Sequence, residues 1–412
     1  MQSPAAMQPD GSTQELDASL APDADGDALL LTPRQDMLKA AHMDRRGEFF
    51  GVPDWPLRKE LATADIAHVE RGYGGRSVGF KITFTDGTRA YFKPEQTFSA
   101  AHWYAEVAAY YLDRELGLGR VAPSVGRRLL WKRLVPSVHN LASTHGTGDA
   151  GDDRLHEVIV GDDGYVRGVM TYWIPQKLIP LRTGKGWEKW IRIHGWPARS
   201  ISPFQRPKVF VDAISAKRGI APSDAVRSVL RSEDGEDEPA HAHAPDTTHA
   251  AAALPSPTDP TTTAPSADAT PKHEYVASQP DVPDRPAELS DMIVFDYLTS
   301  NMDRWGGENT NVRIRGEGGA LLFFDNAAGF TPHQPRNGLL QARLRAVEKF
   351  RRSTIEAIRN LDVQSLKQRM ATDPLAPLLE DDAFEHLALR KQDILDHVGA
   401  MQAKYGDQVF AW

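Results

Sequence analysis

The chain has 412 residues, 48 Lys and Arg against 56 Asp and Glu, and a formal net charge of −8. It contains no cysteine, which excludes disulfides, cysteine nucleophiles and thiolate metal sites. The acidic excess is local: residues 1–30 hold six acidic and no basic side chains and residues 232–286 hold eleven and two, so the rest carries about +7. A basic body suits an anionic ligand such as a nucleotide, and no nucleic-acid partner is expected.

Residues 1–33, rich in Pro, Asp, Ala, Ser and Gly with little periodicity, read as a disordered tail. They lack the basic stretch and apolar core of an export signal, the longest apolar run being Ala28–Leu31, and no later stretch could span a bilayer. The expectation is a cytoplasmic chain as written, secreted or periplasmic if a leader has been removed.

Residues 34–176 begin with β-structure and read as a first lobe. Val78–Thr85 and Arg89–Lys93 flank the turn Asp86-Gly87-Thr88 and predict a hairpin. A helix is expected from Ser99, a suitable N-cap, to Leu116. His156–Val160 and Tyr165–Tyr172, joined by Gly161-Asp162-Asp163-Gly164, predict a second hairpin. Residues 177–412 form the expected second lobe. Val209–Arg231, Leu289–Ser300, Leu339–Asn360 and Ala383–Tyr405 have helical spacing of apolar residues. Residues 232–286, rich in Ala, Pro, Thr and Asp, interrupt this lobe as a disordered insertion. Strands gathered in one half and helices in the other predict an α+β architecture rather than a parallel α/β sheet.

The chemistry concentrates in Asp291–Phe330: a helix, a polar loop, a hairpin and a second polar loop. Asp303 and Asp325, one in each loop, suit phosphoryl transfer. One can accept or orient an attacking hydroxyl, and the other can hold the metal that neutralises phosphates. Lys93 ends a strand, where an ammonium can reach nucleotide phosphates; read alone, it is more often a solvated strand-end lysine. Gly74 and Gly75 precede the first strand and could let backbone N–H groups approach phosphates.

The segments FDYLTSNMDRW and FFDNAAGF closely resemble the catalytic core of the four-jointed and secretory-pathway casein kinase group, whose pattern runs helix, N-x-D-R, then D-N-x-x-G-F/L. AEVAAYYLDRELGLGRVAP is similar to the helix of the same group that carries E-x-A-A-x-x-L-D-R. The resemblance implies a two-lobed, protein-kinase-like fold and an ATP-dependent kinase requiring Mg²⁺ or Mn²⁺. It gives Asp303 the catalytic position and Asp325 the metal-binding one. Glu106 becomes the partner of Lys93 or a direct metal ligand. Glu308 and Asn309, five and six residues after Asp303, are further metal-site candidates. Tyr172, Trp173 and Ile174 fall where the backbone of a kinase hinge binds adenine, while the side chains themselves read rather as core aromatics. The expected acceptor is a hydroxyl on a protein Ser or Thr, or on a glycan. A nucleotide-binding pseudokinase acting as an interaction module and an ATP-dependent adenylylating transferase are the alternatives. Oligomeric state has no signature in the sequence.

Overall fold

Alternation of large apolar residues builds the first lobe. In Phe80–Phe84 (β4) the side chains of Phe80, Ile82 and Phe84 are buried and those between them half-buried. Arg89–Pro94 (β5) repeats the pattern with Ala90, Phe92 and Pro94 inward. Because side chains alternate across a strand, Tyr91 and Lys93 face the other side. The computed structural model describes residues 31–72, 76–98, 101–135, 153–183, 186–195, 202–204, 282–305 and 311–412. The expected helix Val209–Arg231 and the expected cap Ser99 lie outside these residues, as does most of the expected tail and insertion.

Ile66–Arg71 (β3), β4, β5, Ser124–Leu130 (β6) and Tyr165–Tyr172 (β7) form one antiparallel sheet in the order β3-β4-β5-β7-β6. A separate short hairpin joins Glu48–Phe49 (β1) to Val52–Pro53 (β2). Arg34–Ala40 (α1) and Trp55–Thr63 (α2) contribute Ala40 and Leu61 to the core containing Phe80, Phe92 and Met170. Trp103–Glu115 (α3) belongs to the other core, which also holds Val169, the register partner of Lys93. Lys93 therefore points from the sheet toward α3 and the second lobe. A single helical turn, Trp131–Leu134 (α4), follows β6.

The expected second hairpin is corrected: residues 153–157 form a 3-10 turn, Val160 makes only an isolated bridge to Val166, and β7 lies between β5 and β6. The strand β6 has weak alternation because Arg127 is buried within it. Its guanidinium donates to Thr32 Oγ1 and to the carbonyls of Leu61 and Ala64. The same bond to Thr32, with Leu130 N donating to Leu31 O, fixes the last residues of the expected tail against the sheet. Gly126 is required in β6, since a Cβ there would lie 2.5 Å from Asp373 Oδ1.

In the second lobe, Leu178–Pro180 (β8), Val312–Arg315 (β9) and Leu321–Phe323 (β10) form a small antiparallel sheet. It packs by Asp-Arg-Pro-initiated helix Arg285–Thr299 (α5), all of whose residues are buried. Arg285 and Pro286 thus belong to the helix rather than to the expected insertion, Arg285 being bonded to Glu288 and to Gly319 O. The expected helix 339–360 is two helices, Gly338–Arg345 (α6) and Arg352–Asn360 (α7). Between them Glu348 N and Lys349 N donate to Ile191 O, and Phe350 N to Val409 O. Those non-local bonds replace helical ones despite the apolar spacing. Val363–Met370 (α8) and the long Asp381–Tyr405 (α9) complete the lobe. Among the described residues no helix is long and apolar enough to cross a membrane.

The lobes are joined by buried polar contacts. Asp373, after α8, accepts from Gly126 N in β6 and lies 3.9 Å from Arg58 of α2. Arg58 is 1% exposed and also donates to Ser124 O and Tyr111 Oη. Removing one member of a buried ion pair leaves an uncompensated charge, so Asp373→Ala should lower unfolding free energy by about 3–5 kcal/mol. Urea denaturation measures this; a loss below about 1 kcal/mol would show that the Asp373 anchor is dispensable.

Candidate active site

The two loops of the site grow from the ends of α5 and β10. Helix α5 stops where Ser300 adopts φ +56° and Asn301 N donates back to Asp296 O. Asn301 then bridges both loops: its Oδ1 accepts from Asp303 N at 3.2 Å, and its Nδ2 donates to Asp325 O at 3.1 Å. Asp303 opens a 3-10 turn, Asp303–Trp305, and Asn311 Nδ2 donates to its Oδ2 at 3.1 Å. Asp325 follows β10 with φ +59°, a left-handed backbone that aspartate tolerates better than most residues. The return of this loop onto α5 brings Phe330 N to Thr299 O and requires glycine at 329. A Cβ there would press at 3.1 Å on the carbonyls of both Thr299 and Asn326.

Lys93 reaches this point from β5. Its Nζ donates to Glu106 Oε1 at 2.8 Å and to Asp325 Oδ1 at 3.0 Å. Glu106 Oε2 accepts from Asn326 N at 2.9 Å, so α3 also grips the Asp325 loop directly. The Lys93 and Glu106 side chains are each 11% exposed and that of Asp325 33%, which leaves Asp325 as the open corner of the triad. Burial disfavours charge on Lys93 and Asp325, yet mutual attraction wins. Asp325 is held below the ordinary aspartate range by the Lys93 charge and hydrogen bond, and Lys93 is held above the ordinary lysine range by Asp325 and Glu106. Asp303 moves the other way: partial desolvation, then the negative charge of Asp325, raises its pKa.

A layer of buried polar groups supports both loops from below. Arg304, fully buried, donates through Nε to Asp296 Oδ1 and through Nη2 to Asn326 Oδ1. Trp305 Nε1 donates to Asp296 Oδ2 and its ring stacks on Trp187. Burial pushes the Asp296 carboxyl up to about 6 in spite of Arg304. Asn301, Arg304, Asn326 and Asp296 were not among the expected site residues. The signal for Asn301, Arg304 and Asn326 was present in the N-x-D-R and D-N motifs, whereas Asp296 lies in the preceding helix, outside both.

Other expected residues lie apart. Gly74, Gly75, Glu308 and Asn309 fall outside the described residues. Tyr172, Trp173 and Ile174 end β7, and Tyr172 pairs with Ala90, three steps along β5 from Lys93. The N–H groups of Tyr172 and Trp173 already donate to Pro123 O and Arg89 O, and the Trp173 ring lies beneath Arg89. These residues are not brought into contact with the triad. Among the described residues no three His, Asp or Glu side chains converge as a preformed metal cage. Asp325, ionised and partly open beside a second carboxylate, nevertheless offers the hard oxygen donors that Mg²⁺ or Mn²⁺ prefers.

Residues 274–409 match the family model described as Golgi casein kinase, C-terminal, Fam20. That stretch, about a third of the chain, is similar to the Fam20 Golgi casein kinases. Over 86 residues the chain is 37% identical to the extracellular serine/threonine protein kinase CeFam20 of Caenorhabditis elegans, covering 18% of this chain and 17% of that relative. Hydra Fam20, solved with sugar, superposes with a TM-score of 0.54 at 17% identity, over 90% of this chain and 97% of that one. The Golgi casein kinase structure matches with a TM-score of 0.50 at 18% identity, over 85% and 76% of the two chains. The fold is the two-lobed, α+β kinase-like one expected from the sequence. The cytoplasmic expectation is corrected, because the similar proteins are extracellular and Golgi kinases.

The buried layer makes a pH-dependent prediction. In Arg304→Met the Asp296 carboxylate loses its cation, so its folded pKa should rise further above the unfolded value near 3.8. A folded state that holds the extra proton loses stability as pH rises through that window. Urea denaturation should therefore show a loss of about 3–5 kcal/mol at pH 8 and a smaller one at pH 5. An equal loss at both pH values would contradict the assignment of charge to Asp296.

Proposed function

We propose that the protein is a metal-dependent kinase that transfers the γ-phosphoryl group of ATP to a hydroxyl on a protein substrate, with Ser or Thr the acceptor class and a glycan hydroxyl the finer alternative. The observation that carries this reading is the placement of Lys93 Nζ between Glu106 and Asp325, with Asn301 tying Asp325 to the Asp303 loop. One ammonium between two carboxylates leaves a net negative charge, which a divalent cation and phosphates complement. A bound Mg²⁺ or Mn²⁺ would supply neutralisation of phosphate charge, with Asp325 and Glu106 as the residues that would hold it. Glu308 and Asn309 remain proposed additions to that set.

Lys93 serves as the phosphate-facing cation, oriented by Glu106 rather than free to swing. Asp303 stands at the open surface with its carboxylate aligned by Asn311, and accepts or orients the acceptor hydroxyl proton. Its raised proton affinity favours that task. Tyr172 to Ile174 are proposed to border the adenine only through backbone groups. The domain division follows the same reading: residues 34–176 bind nucleotide and the second lobe holds the metal and catalytic loops. The names of the relatives support an extracytoplasmic setting for this activity.

Asp303→Ala should reduce turnover by roughly 10²- to 10⁴-fold while ATP affinity stays within about twofold. Asp325→Ala should abolish metal-dependent nucleotide binding, and excess chelator should do the same to the unaltered protein. Transfer by Asp303→Ala at the original rate, or ATP binding unchanged in chelator, would overturn the reading.

A further inference from the structure

Asp303 is anchored by something other than the contacts its own loop makes. The residue before it, Met302, is held by α6 and its N-cap. Arg343, in the middle of that helix and 1% exposed, donates through Nη1 to Met302 O at 3.4 Å and through Nε to Pro203 O at 3.1 Å. Its remaining Nη2 is buried and makes no hydrogen bond. At the start of the same helix Asn337 accepts from Leu339 N and Leu340 N as the N-cap, and its Nδ2 contacts Met302 Sδ. One short helix thus grips both the backbone and the side chain of residue 302.

The grip is also electrostatic. Burial lowers the Arg343 pKa to about 10, while the carboxylates of Asp296 and Asp303 oppose that effect, so the guanidinium is charged at neutral pH. A full rotamer-rich side chain has been desolvated and left with one donor unmet, which costs stability. A residue chosen for packing would not need that charge. Arg343 and Asn337 bond to Met302, whereas Asn301 bonds to Asp303 N and Asp325 O, so neither duplicates the Asn301 bridge.

The geometry points to Arg343 and Asn337 as positioning residues for Asp303, fixing the Met302–Asp303 peptide so that the carboxylate meets the acceptor hydroxyl. This inference rests on the reading of Asp303 as the group that takes or orients that hydroxyl proton. Displacement of a catalytic group by about 1 Å costs on the order of 10²-fold in rate without contact to substrate.

Two conservative variants separate positioning from folding. Arg343→Lys keeps the charge but cannot span both carbonyls, and Asn337→Asp keeps an N-cap acceptor while losing the donor to Met302. Each is made alone and in an Asp303→Asn background, with kcat, KM for ATP, calorimetric ATP affinity and thermal midpoint measured. We expect kcat to fall about 10- to 100-fold in the single variants, KM for ATP and ATP affinity to change less than about twofold, and no further fall to occur in the Asp303→Asn background. An unchanged kcat in both single variants, or an equal loss in both backgrounds, overturns the inference and leaves the kinase reading standing. Full turnover by Asp303→Asn alone removes the reading of Asp303 and the inference with it.

Discussion

One ammonium group has to satisfy carboxylates that arrive from separate parts of the chain. Lys93 comes from the sheet of the first lobe, Glu106 from the helix packed beneath it and Asp325 from the loop after β10. Lys93 and Glu106 are nearly buried, and an isolated buried ion costs several kcal/mol and neutralises instead. The triad therefore requires closure of the lobes, and closure requires the alternation of β5 that turns Lys93 away from Phe92. Much else in the molecule can be understood as holding those three positions. Asn326 N ties Glu106 to the Asp325 loop, Asn301 ties that loop to Asp303, and Arg304 ties both to Asp296.

Guanidinium groups recur at the joints. Arg58, Arg127, Arg285, Arg304 and Arg343 are all buried, and four of them donate to backbone carbonyls distant in sequence. A planar fork of five donors can join several strands of chain at once, which an apolar side chain cannot. In a chain without cysteine, these charge-assisted hydrogen bonds do the crosslinking. They also explain why parts of the fold resist reading from hydrophobic pattern. An arginine inside β6 spoils the alternation that marks a strand, although its bonds to Thr32, Leu61 and Ala64 are what hold that strand in place.

Legibility follows from how local the cause is. The β4–β5 hairpin was readable because Asp86 caps its own turn through Thr88 N and Gly87 supplies φ +89°, both encoded within three residues. The helix α9 was readable from its apolar spacing alone. By contrast, the break at 346–351 depends on carbonyls of Ile191 and Val409, and no local pattern announces them. The same holds in the site. Acids and a lysine stand out because their chemistry is distinctive, whereas Asn301, Asn326 and Arg304 act through geometry that only the folded chain supplies. Motif resemblance reached the lobes, the acids and the residues beside them; it did not reach Asp296 in the layer beneath.

The central claim is a phosphoryl transfer organised by Lys93, Glu106 and Asp325, and the nucleotide product reports it most directly. Mass spectrometry of the nucleotide and of a protein acceptor rich in Ser and Thr, after incubation with ATP and Mn²⁺ or Mg²⁺, distinguishes the possible transfers. The account predicts ADP and an acceptor gaining one phosphate, lost together in Lys93→Met. AMP with an adenylylated acceptor, or nucleotide bound but unconsumed across both metals, would contradict it.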